Sequence, residues 1–277
     1  MPHVSPGFSA WFTVEGSHDE LQHMVDNIET WTASIDGRST NVVSWDGDSR
    51  LHMLGGALLE LASQGLFQPV PPPMVDAARL DLLLRRLASV LRPHQLEAAR
   101  AALLAPWGWS LLSIPMGGGK SVLSAALVAL GAALDWPQWL YVVTNKELVA
   151  QTRAVFDRLM PKLQGALDDE WREPEMSFTS YGSVEESLWH GLILDEVHGL
   201  AAKGRREAYL KLGARAFRIG MSGTALDRSD GRNALTISLV GPVAYNTDVK
   251  GLEVEGSLAK GRISQLVFDR VRGRLIR

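Results

Sequence analysis

The segment 113–121 reads SIPMGGGKS. Three consecutive glycines are costly to order, because each gives up more backbone freedom on folding than any other residue. They follow the short apolar run SLLSIP (110–115) and precede KSVLSAALVALGAAL (120–134), whose apolar content reads as a buried helix. A glycine-rich turn between a strand and a helix lets backbone N–H groups wrap an anion at the positive end of the helix dipole. In such a turn Gly117, Gly118 and Gly119 form a cradle, Lys120 reaches the β and γ phosphates of a nucleotide, and Ser121 ligates Mg²⁺. The strict phosphate-loop pattern has a glycine six places before the lysine, where this chain has Ile114. Taken alone, the segment also reads as an ordinary glycine-rich turn.

A second segment changes that balance. GLILDEVH (191–198) places Asp195 and Glu196 at the end of an apolar strand. Two adjacent carboxylates at the edge of a buried strand are costly unless a cation or polar group meets them. A Mg²⁺-nucleotide supplies that partner, with Asp195 on the metal side and Glu196 orienting and deprotonating the attacking water. The competing reading, an acid pair capping the next helix, loses weight with a phosphate loop upstream.

Around these segments, helices and short apolar strands alternate. Strand candidates are 110–115, 139–144 (WLYVVT), 176–181 (MSFTSY), 190–196 and 216–223 (AFRIGMSG), with helices over 120–134 and 146–160. This order predicts βαβ units and a mostly parallel sheet flanked by helices. QPVPPP (68–73) reads as an extended connector. The expected divisions are a small α+β module over 1–67, a linker and lead-in helix over 68–85, an α/β nucleotide domain over 86–250 and a basic segment over 251–277. In the front module, NVVSWDGDSR reads as strand then turn. RLHMLGGALLELASQGLF reads as one helix interrupted by Gly55-Gly56. Trp11, Trp31 and Trp45 are expected to serve its core rather than to stack on bases.

The chain has 277 residues, no cysteine and a net charge of −3. The absence of cysteine excludes disulfides and cysteine-ligated zinc. No signal peptide is read at the N-terminus, and the apolar run 122–134 is too short to cross a bilayer, so no membrane partner and a cytoplasmic location are expected. Charge is uneven: residues 1–50 hold eight acids against two bases, and residues 260–277 hold six bases against Asp269. The basic end suits a nucleic-acid backbone or a solvated terminus.

Taken in order, these segments resemble the first motor domain of a superfamily-two helicase or translocase. IPMGGGKS resembles motif I of that superfamily, in which the distant glycine is not required. LRPHQLEAARAAL resembles the Arg-x-x-Gln element before it, VVTNKELVAQTRAVF resembles motif Ia, and FTSYGSV resembles the following "TY" segment. LILDEVHGL is a DEVH form of the DEAH box, and IGMSGTALDRSDGR resembles motif III and its sequel. The flavour is that of phage branched-DNA helicases, the XPB type and restriction-enzyme motor subunits. The resemblance covers residues 90–245 and implies a RecA-like fold.

By that resemblance, Gln95 and Arg92 contact adenine, Gly117 to Ser121 hold the phosphates, and Lys120, Asp195 and Glu196 carry ATP hydrolysis with Mg²⁺. Ser222, Gly223 and Thr224 couple nucleotide state to movement, with His198 at their junction. Thr144, Asn145, Lys146, Thr179, Ser180 and Tyr181 lie near the nucleic acid, DNA more than RNA. Arg228 and Asp230 match an R-x-DG element of structural or interdomain role. A complete motor of this kind uses arginines from a second RecA-like domain, whose QxxGRxxR motif this chain lacks. The expectation is a half-motor that needs a second polypeptide, as in a split, phage-encoded helicase acting in the host cytoplasm. The alternative is a nucleotide-dependent binding or regulatory module without motor activity. Intact Lys120, Asp195 and Glu196 speak against that alternative, since a pure binder has no use for a general base.

Overall fold

The computed structural model describes residues 3–6, 10–37, 42–63, 65, 75–224, 232–258, 267–269 and 274–276. The connector 68–73, the positions Arg228 and Asp230, and about half of the basic segment 251–277 lie outside the described residues.

The chain begins with β1 (His3–Pro6), β2 (Trp11–Glu15), α1 (His18–Asp36), β3 (Val43–Trp45), β4 (Arg50–Leu54) and α2 (Gly55–Ser63). The four strands form an antiparallel sheet in the order β1-β2-β4-β3. Ser17 starts α1 with a capping box: its hydroxyl accepts from Glu20 N–H, and the Glu20 carboxylate accepts from Ser17 N–H. One sequence expectation is corrected here. Residues 50–54 form a strand, so Gly55-Gly56 opens α2 instead of interrupting a longer helix. Packing explains these glycines, since a Cβ on Gly56 would lie 2.0 Å from the Ile237 carbonyl oxygen.

The larger part continues with α3 (Ala77–Leu87), α4 (Pro93–Leu103), β5 (Trp109–Ser113), α5 (Lys120–Ala133), β6 (Gln138–Val143), α6 (Lys146–Leu167), β7 (Glu175–Ser180) and β8 (Ser187–Asp195). Then come α7 (Lys203–Tyr209), β9 (Leu212–Ser222), α8 (Asn233–Val240), β10 (Val243–Asn246) and α9 (Val249–Val254). A hairpin of β11 (Val267–Asp269) and β12 (Arg274–Ile276) ends the described chain. Six strands pair in parallel in the order β10-β5-β9-β8-β6-β7. The lead-in helix α3 runs past residue 85 to Leu87, and Leu80, Leu83, Leu84 and Leu87 join the core around α4, α5 and α6.

The front sheet is welded to the parallel sheet. One buried cluster joins Phe12, Leu54 and Leu58 to Trp107, Trp109, Ile237 and Leu239. The Phe12 ring stacks on Trp107 at 4.9 Å and meets Trp109 edge-on at 5.6 Å. Asp36, at the end of α1, accepts from Asn233 N–H at 2.9 Å and Ala234 N–H at 3.1 Å, capping α8 from outside its own sequence. Of the three front tryptophans, Trp31 is buried and Trp11 packs against the core, whereas Trp45 is 36% exposed and stacks on His18.

Candidate nucleotide site

The glycine turn lies between β5 and α5, at the carboxyl end of a parallel strand, where ligands bind in such sheets. Gly117 (φ +82°) and Gly119 (φ +80°) are in the left-handed region that side chains avoid. Gly118 is held by closeness instead: a Cβ there would lie 2.5 Å from Ile114 Cγ2. Each glycine therefore has its own physical reason. Ile114, in place of the distant glycine, is fully buried and donates its N–H to Ser222 O at 2.9 Å, anchoring the turn to β9.

Asp195 ends β8, and Glu196 turns sharply with φ 51° and ψ 51°. A left-handed glutamate costs about 1–2 kcal/mol. The turn brings Glu196 Oε1 to 3.0 Å from Lys120 Nζ, joining the turn before α5 to the acid pair two strands away. Burial, and then the neighbouring Glu196 carboxylate, push the Asp195 carboxyl above its usual range. His198 Nδ1 lies 3.0 Å from Ser222 Oγ and 3.1 Å from Glu196 Oε2. Ser222 Oγ also accepts from Thr224 N–H at 3.2 Å. A Cβ on Gly223 would lie 3.6 Å from Lys120 Nζ. Lys120, Glu196, His198, Ser222 and Gly223 thus form one connected cluster. The glycine cradle and the half-buried Ser121 and Asp195 fit a Mg²⁺-bound polyphosphate.

Gln95 and Arg92 lie next to the turn but face protein. The Gln95 amide donates to Gly119 O at 3.2 Å, and its oxygen accepts from Arg92 N–H at 3.0 Å. Arg92 Nη1 donates to Ser257 O at 2.6 Å. The residues matched to the nucleic-acid side divide. Asn145 and Lys146 are exposed at the start of α6, where Asn145 caps Leu148 N–H, and Thr144 is half-buried. Thr179 is also half-buried, but Ser180 is 2% and Tyr181 5% exposed. The Tyr181 ring joins the core beneath Arg205, so direct strand contact by Ser180 and Tyr181 is not available in this conformation.

Sequence reading missed two residues of the site. His94 is buried against the turn and bonded to Glu255. Nothing in RPHQ marks its histidine as special, and its partner is 161 positions away.

A six-stranded parallel sheet with a phosphate-type turn facing an acid pair is the arrangement of a RecA-like nucleotide-binding domain. Residues 89–227, half of the chain, match the ResIII family, described as the type III restriction enzyme res subunit, and the chain belongs to that family. It is 29% identical over 184 residues to the DNA 3'-5' translocase XPB2 of Sulfurisphaera tokodaii, covering 64% of this chain and 40% of that protein. It is 27% identical over 208 residues to the DNA 3'-5' helicase XPB of Mycobacterium tuberculosis, covering 67% of this chain and 35% of that one. The chain thus spans well under half the length of these relatives. In fold it is similar to the UvsW helicase from bacteriophage T4, with a TM-score of 0.60 at 14% identity over 87% of this chain and 98% of that one.

Proposed function

We propose that this chain is the ATP-binding and hydrolysing half of a DNA-directed helicase or translocase. The observation that carries the reading is the 3.0 Å pair between Lys120 and Glu196. It brings the lysine of the glycine turn and the second carboxylate of the acid pair to one point, as the reading of them as phosphate ligand and general base requires.

In this reading Gly117, Gly118, Gly119 and the N-terminus of α5 bind the β phosphate, and Lys120 turns from Glu196 to the γ phosphate. Ser121 and Asp195 hold Mg²⁺, which when bound neutralises charge on the transferred phosphoryl group. Glu196, released from Lys120, takes the proton of the attacking water. His198 passes the state of Glu196 to Ser222 and Thr224. Arg92 and Gln95 border the adenine side. Thr144, Asn145, Lys146 and Thr179 meet the nucleic-acid strand, with Ser180 and Tyr181 shaping that edge from within. The lean to DNA comes from the two relatives, both described as acting on DNA.

Arginines from a second RecA-like domain complete the site. Such fingers are worth roughly 10³–10⁵ in rate. The test is Mg²⁺-ATP hydrolysis by the 277-residue chain with branched DNA, with and without a separately supplied second motor domain. Slow hydrolysis that rises on mixing supports the reading. Efficient duplex unwinding by the chain alone contradicts the need for a partner domain.

A further inference from the structure

His94 is 2% exposed and faces acceptors on both sides of its ring. Nε2 lies 2.8 Å from Gly118 O, and Nδ1 lies 3.0 and 3.1 Å from the two Glu255 carboxylate oxygens. The His94 backbone N–H also donates to Glu255 Oε1 at 3.2 Å. The ring thus lies between two hydrogen-bond acceptors, a backbone carbonyl on one side and a carboxylate on the other. A hydrogen bond to a carboxylate is charge-assisted and stronger than a neutral one.

These bonds have a directional consequence. In a planar trans peptide the C=O and the next N–H point opposite ways. Fixing Gly118 O on the His94 side therefore aims Gly119 N–H away from it, toward the open side of the turn. Gly119 O accepts from Val122 and Leu123 N–H at the start of α5 as well as from Gln95, and this aims Lys120 N–H the opposite way. These are N–H groups of the kind that cradle phosphate.

Residues 252–258 close around the same place. Ser257 Oγ donates to Glu255 Oε1 at 3.0 Å, and Arg92 holds Ser257 O. The side chains of Leu252 and Leu258 lie 3.1 and 2.9 Å from where Cβ atoms of Gly118 and Gly117 would be. The segment therefore packs directly against the turn.

We propose that His94, oriented by Glu255, is a positioning residue that presets the phosphate-binding turn and couples its conformation to residues 252–258, the end of α9 and the turn after it. The proposal rests on the reading of the turn as a nucleotide-phosphate site. By reciprocity, phosphate binding stiffens 252–258, and loosening 252–258 weakens phosphate binding by the same factor.

The experiment uses the full chain as wild type, Glu255→Gln, His94→Gln, His94→Ala and Lys120→Ala. Affinities for Mg²⁺-ADP and for adenosine are measured beside melting temperature and amide exchange. Glu255→Gln and His94→Ala are expected to weaken ADP by about tenfold and to leave adenosine unchanged. His94→Gln, which keeps one donor, recovers part of the loss. ADP slows exchange at 252–258 in the wild type and much less in Glu255→Gln. Unchanged ADP affinity in Glu255→Gln overturns the proposal, as does an equal loss for ADP and adenosine, which marks a merely structural contact. ADP affinity that is indifferent to Lys120→Ala overturns the nucleotide reading beneath it.

Discussion

Lys120 Nζ and Glu196 Oε1 are 3.0 Å apart, with the two side chains 15% and 31% exposed. Each group satisfies the other, so under the proposed function a γ phosphate competes with Glu196 for the lysine. Glu196→Gln removes that competitor's charge while keeping its shape. It is expected to tighten ATP binding about three- to tenfold, since a partly buried ion pair is worth about 1 kcal/mol. Titration calorimetry checks this.

Asp195 supplies a pH prediction. Burial and Glu196 raise its folded-state pKa above the ordinary 3.8. Between those two values the folded chain binds more protons than the unfolded one, so this group makes stability fall as pH rises through that window. Asp195→Asn abolishes this contribution and keeps an oxygen to accept from Glu196 N–H, as Asp195 Oδ1 does at 3.0 Å. The expected result is a higher melting temperature at neutral pH without nucleotide, together with lost Mg²⁺-dependent turnover.

Gly119→Ala tests the cradle. Its φ of +80° costs alanine about 1–2 kcal/mol. The new Cβ would lie 2.3 Å from Gln95 Nε2, forcing that amide off Gly119 O. Reduced stability by urea titration and sharply weaker ATP binding are expected together.

His198 has one ring nitrogen between Ser222 Oγ and Glu196 Oε2. Because Nδ1 serves both, its bond to one weakens when it favours the other. His198→Ala is expected to leave ATP affinity within about twofold and to lose most of the stimulation of hydrolysis by DNA, the signature of a severed coupling. Steady-state rates with and without DNA separate the two effects.

The front sheet is predicted to stabilise the motor domain through α8. Asp36→Ala leaves two N–H groups of that helix uncapped and is expected to cost about 1 kcal/mol. Gly56→Ala pushes a methyl into the Ile237 carbonyl and is expected to cost about 3 kcal/mol. Guanidinium unfolding curves check both.

Five of the six parallel strands were legible as apolar runs between helices, because both faces of this sheet are covered. The sixth, β10, escaped because Val243–Asn246 is a four-residue edge strand with exposed and half-exposed residues and only the three-residue apolar run VAY. Gly55-Gly56 was misread because RLHML followed by GGALLEL keeps apolar residues close enough for either period; the contact with Ile237 that explains the glycines is tertiary. Lys120, Asp195 and Glu196 stand out in the sequence because the chemistry proposed for them needs fixed residue types at a helix start and a strand end. Tyr181 was legible as a motif letter, but its burial depends on packing beneath α7 that no local pattern encodes. His94 and Glu255 stayed hidden for the same reason.

The most direct measurement is Mg²⁺-ATP hydrolysis by the full chain, wild type against Glu196→Gln, with ATP binding followed in parallel and branched DNA present or absent. The account predicts slow wild-type turnover, a loss of about 10²–10⁴-fold in Glu196→Gln, and retained or tighter ATP binding in that variant. Turnover that survives Glu196→Gln undiminished, or a wild-type chain that binds no ATP, would contradict it.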